Sequence, residues 1–315
     1  MTCPTTKQLL RAVRNLIPPL SETLHKGQAG RIGVLGGSED YTGAPFYSSM
    51  SAHLFGADMA HVICEPGAGM VIKSYSPDLI VHPLMRQSTR QEETSTDKMV
   101  SEITSLLERL HVVVIGPGLG RDDLMQKTAA GVIKAAVDRN MGIVIDADGL
   151  YLIEKEPGLI MGYTNVVLTP NHVEFNRLCQ AMGVSREMKE EEKCKELARS
   201  FGNITIVQKG TKDVISNGVE VYTCDVPGGL KRCGGQGDIL GGILATLLAW
   251  KETHQRERTG TEDVRELMLC AFGACCTTRV CAHEAFKKHK RAMVSSDMVK
   301  EVGEAYQRLF ELNLN

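Results

Sequence analysis

The residues of this chain best suited to chemistry lie at 233–242, Cys-Gly-Gly-Gln-Gly-Asp-Ile-Leu-Gly-Gly. Gly234, Gly235 and Gly237 strip side chains from a turn that feeds residues 239–250, a segment apolar on nearly every face and so predicted to be a buried helix. The N–H groups and positive dipole end of such a helix form an anion site, and a glycine loop lets phosphate oxygens approach the backbone. Asp238 stands in the first turn, in the place of a general base for a hydroxyl that receives a phosphoryl group. A glycine turn capped by an aspartate accounts for the same residues without any function.

Other loaded positions follow predicted strands. Gly116-Pro-Gly-Leu-Gly120 superficially resembles a dinucleotide fingerprint, but Pro117 and the spacing do not fit it; close approach of a ligand and a tight turn are equal alternatives. Asp146-Ala-Asp-Gly149 offers two carboxylates for a metal or polar ligand, with Asp148 favoured as a helix N-cap. In Thr169-Pro-Asn-His-Val-Glu-Phe175, Asn171 and Glu174 match a capping box; the functional alternative has them orient water and magnesium near a phosphate, with His172 touching substrate. Lys209-Gly-Thr-Lys-Asp213 suits nucleotide phosphates or a base, or is a polar turn. In the loop Gly228-Gly-Leu-Lys-Arg-Cys-Gly-Gly-Gln-Gly237, the charges of Lys231 and Arg232 are placed to steady a triphosphate, and Cys233 sits by a helix N-terminus.

These turns need a scaffold of strands and helices in alternation. Candidate strands fall at 31–35, 59–65, 79–82, 112–115, 142–146, 166–169 and 204–208, separated by amphipathic stretches such as 122–139 and 187–201. Continuous β-branched runs between helices predict an α/β fold with a mostly parallel sheet covered on both faces. Asn217-Gly218 between 213–216 and 219–224 is a hairpin signal. Helices are predicted at about 262–283 and 295–312, with a solvated loop at 251–262. Residues 7–17 form a basic amphipathic pattern that a mitochondrial leader shares with a surface helix; the helix, stopped by Pro18-Pro19, is favoured.

Composition narrows the partners. Lys plus Arg number 36 against 38 acidic residues, so no global basic field exists for nucleic acid or an anionic membrane, and a small molecule is the default ligand. No run approaches the roughly 20 apolar residues of a membrane span. With 43% hydrophobic residues the chain can fill the core of a single domain spanning residues 1–315. The ten cysteines include no Cys-x-x-Cys pair, which favours buried free thiols in a reducing compartment.

Taken together, Asn171-x-x-Glu174 and Gly235-Gln-Gly-Asp238 resemble the ribokinase-like superfamily of ATP-dependent phosphotransferases. With Tyr41-Thr-Gly-Ala-Pro45, the Gly116 and Asp146 turns, residues 169–175 and Arg232-Cys-Gly-Gly-Gln-Gly-Asp238, the chain is more closely similar to the eukaryotic ATP-dependent NAD(P)H-hydrate dehydratases, from about Leu9 to its C-terminus. The resemblance implies a ribokinase-like fold and a metabolite-repair lyase. Such an enzyme dehydrates the S form of hydrated NADH or NADPH, spends ATP to ADP and phosphate, and uses Mg2+. Asp238 would be its base. Lys209, Gly210, Thr211, Lys212 and Asp213 would bind ATP, as would Gly228, Gly229, Leu230, Lys231, Arg232, Cys233, Gly234, Gly235, Gln236 and Gly237. Gly118 and the run Asn171, His172, Val173, Glu174, Phe175, Asn176, Arg177 would contact the substrate together with Asp238, and Glu174 would reach the metal through water. Bacterial relatives commonly use ADP; the Arg232-Cys233 form favours ATP. An epimerase is the implied pathway partner, a homo-oligomer is compatible, and the location implied is cytoplasmic, alternatively mitochondrial. A ribokinase-like kinase of a sugar or vitamin alcohol and a non-catalytic nucleotide sensor are the rival functions.

Overall fold

The computed structural model describes residues 4–22, 25–90, 95–185, 187–255 and 265–312. Nine strands form one sheet: β1 (Arg31–Leu35), β2 (Met59–Ile63), β3 (Ile80–His82), β4 (Val112–Ile115), β5 (Gly142–Ile145), β6 (Val166–Leu168), β7 (Thr205–Gln208), β8 (Asp213–Ser216) and β9 (Val221–Cys224). Their order is β3-β2-β1-β4-β5-β6-β7-β8-β9. Pairing is parallel from β3 to β7 and antiparallel across β7, β8 and β9. The parallel strands Val112–Ile115 and Val166–Leu168 are buried along their whole length, which is why they read as unbroken β-branched or aliphatic runs rather than alternating ones.

Helices cover both faces. On one lie α1 (Thr6–Arg14), α2 (Gly43–Phe55), α3 (Pro66–Tyr75), α9 (Gln236–Gln255), α10 (Arg265–His289), α11 (Ser295–Lys300) and α12 (Val302–Tyr306); on the other, α4 (Thr96–Leu107), α5 (Asp123–Asp138), α6 (Asp148–Lys155), α7 (His172–Ala181) and α8 (Glu190–Ser200). The expected buried helix is α9, packed between α2 and α10 with Ile239, Ile243, Leu244 and Leu247 all fully buried. Its approach to α2 is backbone-close: a Cβ on Gly242 would lie 1.9 Å from the Ser48 carbonyl oxygen, and Ser51 Oγ donates to Ile239 O at 3.1 Å. Any side chain at 242 would force the two helices apart.

Several boundaries differ from the sequence expectation. α9 begins at Gln236, so Gly237 and Asp238 belong to the helix itself. It also runs on to Gln255, where a solvated loop was expected, while residues 256–264 lie outside the described residues. The C-terminal helix is broken at Glu301 into α11 and α12, followed by a π-helical turn over Gln307–Glu311. α1 does form as a helix, packing Leu9 and Val13 on α10. Asn217 turns the hairpin, its Oδ1 accepting from the N–H groups of Val219 and Glu220, so β9 starts only at Val221.

Candidate active site

Beyond the carboxyl ends of β5, β6 and β7 opens a cavity of about 510 Å³, closed on its far side by the start of α9 and the middle of α10. That is where an open parallel sheet places its ligands. Gly235, with φ +96°, reverses the chain into α9, and Ile239 N–H makes the first helical bond to Gly235 O at 3.1 Å. The preceding first-turn N–H groups, of Gln236, Gly237 and Asp238, therefore face out of the helix end as an anion site. Ser295 Oγ donates to Gly234 O, and Gln236 Nε2 donates to Lys231 O at 3.1 Å, so the loop is braced from α11 and from within. Arg232 donates to Gly229 O at 3.0 Å.

Asp238 lines this cavity, and its carboxyl is pushed up to about 7 by burial and by the negative charge of Asp146, against the opposing pull of Lys209. A base poised there can accept a proton near neutral pH. Burial likewise raises Glu174, with Lys209 opposing it. Burial alone would lower the Lys209 ammonium, but the carboxylates of Asp146, Glu174 and Asp238 outweigh it and raise it. Asp146, only 2% exposed, receives Lys209 Nζ at 2.7 Å.

The capping box forms in full: Asn171 Oδ1 accepts from Val173 N and Glu174 N, and Glu174 Oε2 accepts from Asn171 N at 2.7 Å. Both residues nevertheless line the cavity, so the cap and the site coexist in the same atoms. Among the described residues no three His, Cys, Asp or Glu side chains converge on a metal position. Glu174, a cavity-lining carboxylate with one oxygen fixed by its own helix, suits magnesium that keeps its waters and takes its remaining ligands from phosphates.

Of the other expected nucleotide contacts, Gly210, Thr211, Asp213, Gly228, Arg232, Cys233, Gly234, Gly235, Gln236 and Gly237 line the cavity, while Lys212, Gly229, Leu230 and Lys231 lie outside its lining. Leu230 is 87% exposed. On the substrate side, Arg177 and Glu174 border a recess of about 80 Å³ beside Asp148 and Tyr151. His172 is engaged by the Asn176 amide at 3.1 Å, and Val173 is exposed. Phe175 corrects the expectation: it is 1% exposed inside the core, so its side chain cannot touch a ligand. Gly118 holds the neighbouring β4 turn in place, its carbonyl accepting from Gly37 N and Ser38 Oγ.

Asp148 is a second correction. The N-cap of α6 is Ala147, at φ 49°, without a side-chain cap bond; the turn swings Asp148 across to accept from Gly120 N at 3.0 Å and to pair with Arg121. Two supporting residues escaped the sequence altogether. Arg279, from α10, donates to Asp213, to the Gly210 and Thr211 carbonyls and to Val226 O. Its only sequence signal was a lone cation within the otherwise uncharged stretch 267–282. Ser295 carried no signal. The described cysteines are free and, except for half-exposed Cys233, buried.

Comparison with known proteins decides the family. The model of the NAD(P)H-hydrate dehydratase family matches residues 32–303. The chain belongs to the NAD(P)H-hydrate dehydratase family. A Schizosaccharomyces pombe relative named ATP-dependent (S)-NAD(P)H-hydrate dehydratase is 52% identical over 98% of this chain and 95% of its own. Two solved structures share the fold. One is a ribokinase-like superfamily protein from Enterococcus faecalis (TM-score 0.70, 20% identity, 96% and 94% of the chains). The other is the Bacillus subtilis ADP/ATP-dependent NAD(P)H-hydrate dehydratase co-crystallised with ATP/Mg2+ (TM-score 0.66, 21% identity, 95% and 97%). The chain therefore has a ribokinase-like, mostly parallel α/β scaffold.

Proposed function

We propose that this chain is the ATP-dependent (S)-NAD(P)H-hydrate dehydratase that its relatives are named for, regenerating NADH and NADPH from the forms hydrated at the nicotinamide ring. Hydroxide leaves poorly. Transfer of the γ-phosphoryl group to the C6 hydroxyl makes a far better leaving group, which the ring nitrogen lone pair then expels as phosphate. The observation that carries this is Asp238, a carboxylate with its pKa raised to about 7, placed in the same helical turn as the outward N–H groups of Gln236 and Gly237. Base and anion site are thus one turn of one helix.

Asp238 takes the hydroxyl proton while the first-turn amides hold charge on the group in transit, a preorganised contribution worth roughly 3–4 kcal/mol for one such donor. ATP lies along Gly228, the run Arg232 to Gly237 and the β7–β8 turn. The hydrated dinucleotide reaches Asp238 from the side of Asn171 to Arg177 and Gly118. Glu174 would hold magnesium through water, the ion neutralising phosphate charge. A substrate restricted to one epimer calls for an epimerase acting before this enzyme.

The test is to supply ATP, magnesium and hydrated NADH and follow the near-ultraviolet absorbance of restored dihydronicotinamide together with ADP. Restoration matched mole for mole by ADP supports the dehydratase. A phosphorylated nucleotide that persists would make the protein a kinase.

A further inference from the structure

The carboxylates of Asp146, Asp148, Glu174 and Asp238 lie close enough to act on one another electrostatically, and Lys209 sits among them. Lys209 leaves the end of β7 and Asp146 the end of β5, two strands away, so the two side chains and the bond between them together bridge roughly 10 Å across the end of β6. The Lys209 N–H bonds Pro170 O at 2.9 Å, which fixes the root of the side chain. Asp146, 2% exposed, fixes its tip at 2.7 Å. The tip lies against the backbone of α9: a Cβ on Gly237 would stand 3.0 Å from Lys209 Nζ and 3.3 Å from Asp146 Oδ2. Glycine at 237 is therefore the residue that leaves room for this ion pair beside the helix entrance.

We propose that Lys209 is a catalytic residue of the phosphoryl transfer and that Asp146 is its positioning residue. This inference rests on the dehydratase function proposed above. A lysine that merely attracts ATP needs no buried anchor. An ammonium already balanced by Asp146 adds little ground-state attraction for a nucleotide, but it presents fixed N–H donors where charge shifts as the γ-phosphorus leaves the bridging oxygen for the substrate oxygen. Lys209 keeps its proton throughout; the hydroxyl proton goes to Asp238, and ADP carries away the electrons of the broken bond.

Wild type, Asp146→Ala, Lys209→Met and Lys209→Arg are assayed with ATP and hydrated NADH, and ADP affinity is measured by calorimetry. Asp146→Ala and Lys209→Met are expected to lower kcat on the order of 100-fold. The KM for ATP and the Kd for ADP should stay within about threefold of wild type, and Lys209→Arg should recover part of the rate. If Asp146→Ala does not fold, Gly237→Ala displaces the same ammonium without removing a charge and should lower kcat with ADP binding kept. A raised KM for ATP at undiminished kcat would make Lys209 a nucleotide anchor and overturn the proposal, as would unchanged kinetics in the variants. An inactive wild type would sink the dehydratase function and this inference with it; active wild type with unaffected variants sinks this inference alone.

Discussion

Arg279 Nε donates to Asp213 Oδ2 at 2.6 Å, joining α10 to the β7–β8 turn across 66 residues of chain. The other guanidinium nitrogens take the Gly210 and Thr211 carbonyls at 2.9 and 2.8 Å, and Asp213 Oδ1 receives the Gly210 N–H at 3.0 Å. The turn that lines the cavity thus has its Gly210 and Thr211 carbonyls taken by one side chain.

Arg279→Ala should loosen that turn and raise the KM for ATP about tenfold while leaving the KM for hydrated NADH unchanged, as steady-state kinetics with each substrate varied will read. Arg279→Lys should behave like the alanine variant, because an ammonium cannot supply the planar fork that serves a carboxylate and two carbonyls together.

The pH dependence follows from Asp238. With its carboxyl at about 7, kcat/KM should fall tenfold per pH unit below neutrality, because the base must be ionised to act. Lys209 is the group that holds this value down, so Lys209→Met should move the acid limb of the pH–rate profile toward higher pH. An unmoved limb in that variant would disconnect the two residues.

The same shift has a cost in stability. The Asp238 carboxyl titrates at about 7 when folded against an ordinary 3.8, so the unfolded chain ionises it more easily. Its contribution is complete below the unfolded value and is lost as pH rises through the folded one. Asp238→Asn should therefore raise the melting temperature by a few degrees at about pH 8, with a smaller gain at about pH 5, while removing activity by roughly 100- to 10,000-fold. Thermal melts at the two pH values check this.

Local signals were legible because they are local. The strands at 32–35 and 112–115 are uninterrupted runs without a polar side chain, the capping box of Asn171 and Glu174 needs four consecutive residues, and the helix at 239–250 is apolar on nearly every face. α3 was missed because Pro-Gly-Ala-Gly at its start has poor helix propensity, and Glu65 and Pro66 supply the start instead. Asp148 was misread because Ala147 adopts a positive φ that no propensity scale assigns to alanine. The Asp146–Lys209 and Arg279–Asp213 bonds span 63 and 66 residues; the sheet order brings the first pair together, and the packing of α10 on β8 the second.

The central claim is that the phosphoryl group travels to the substrate hydroxyl beside Asp238. Hydrated NADH carrying a heavy-oxygen label in its C6 hydroxyl should yield inorganic phosphate that contains the label, measured by mass spectrometry after one turnover. Phosphate without the label, its fourth oxygen drawn from solvent and the label released as water, would show that ATP is hydrolysed without touching the substrate and would contradict the account.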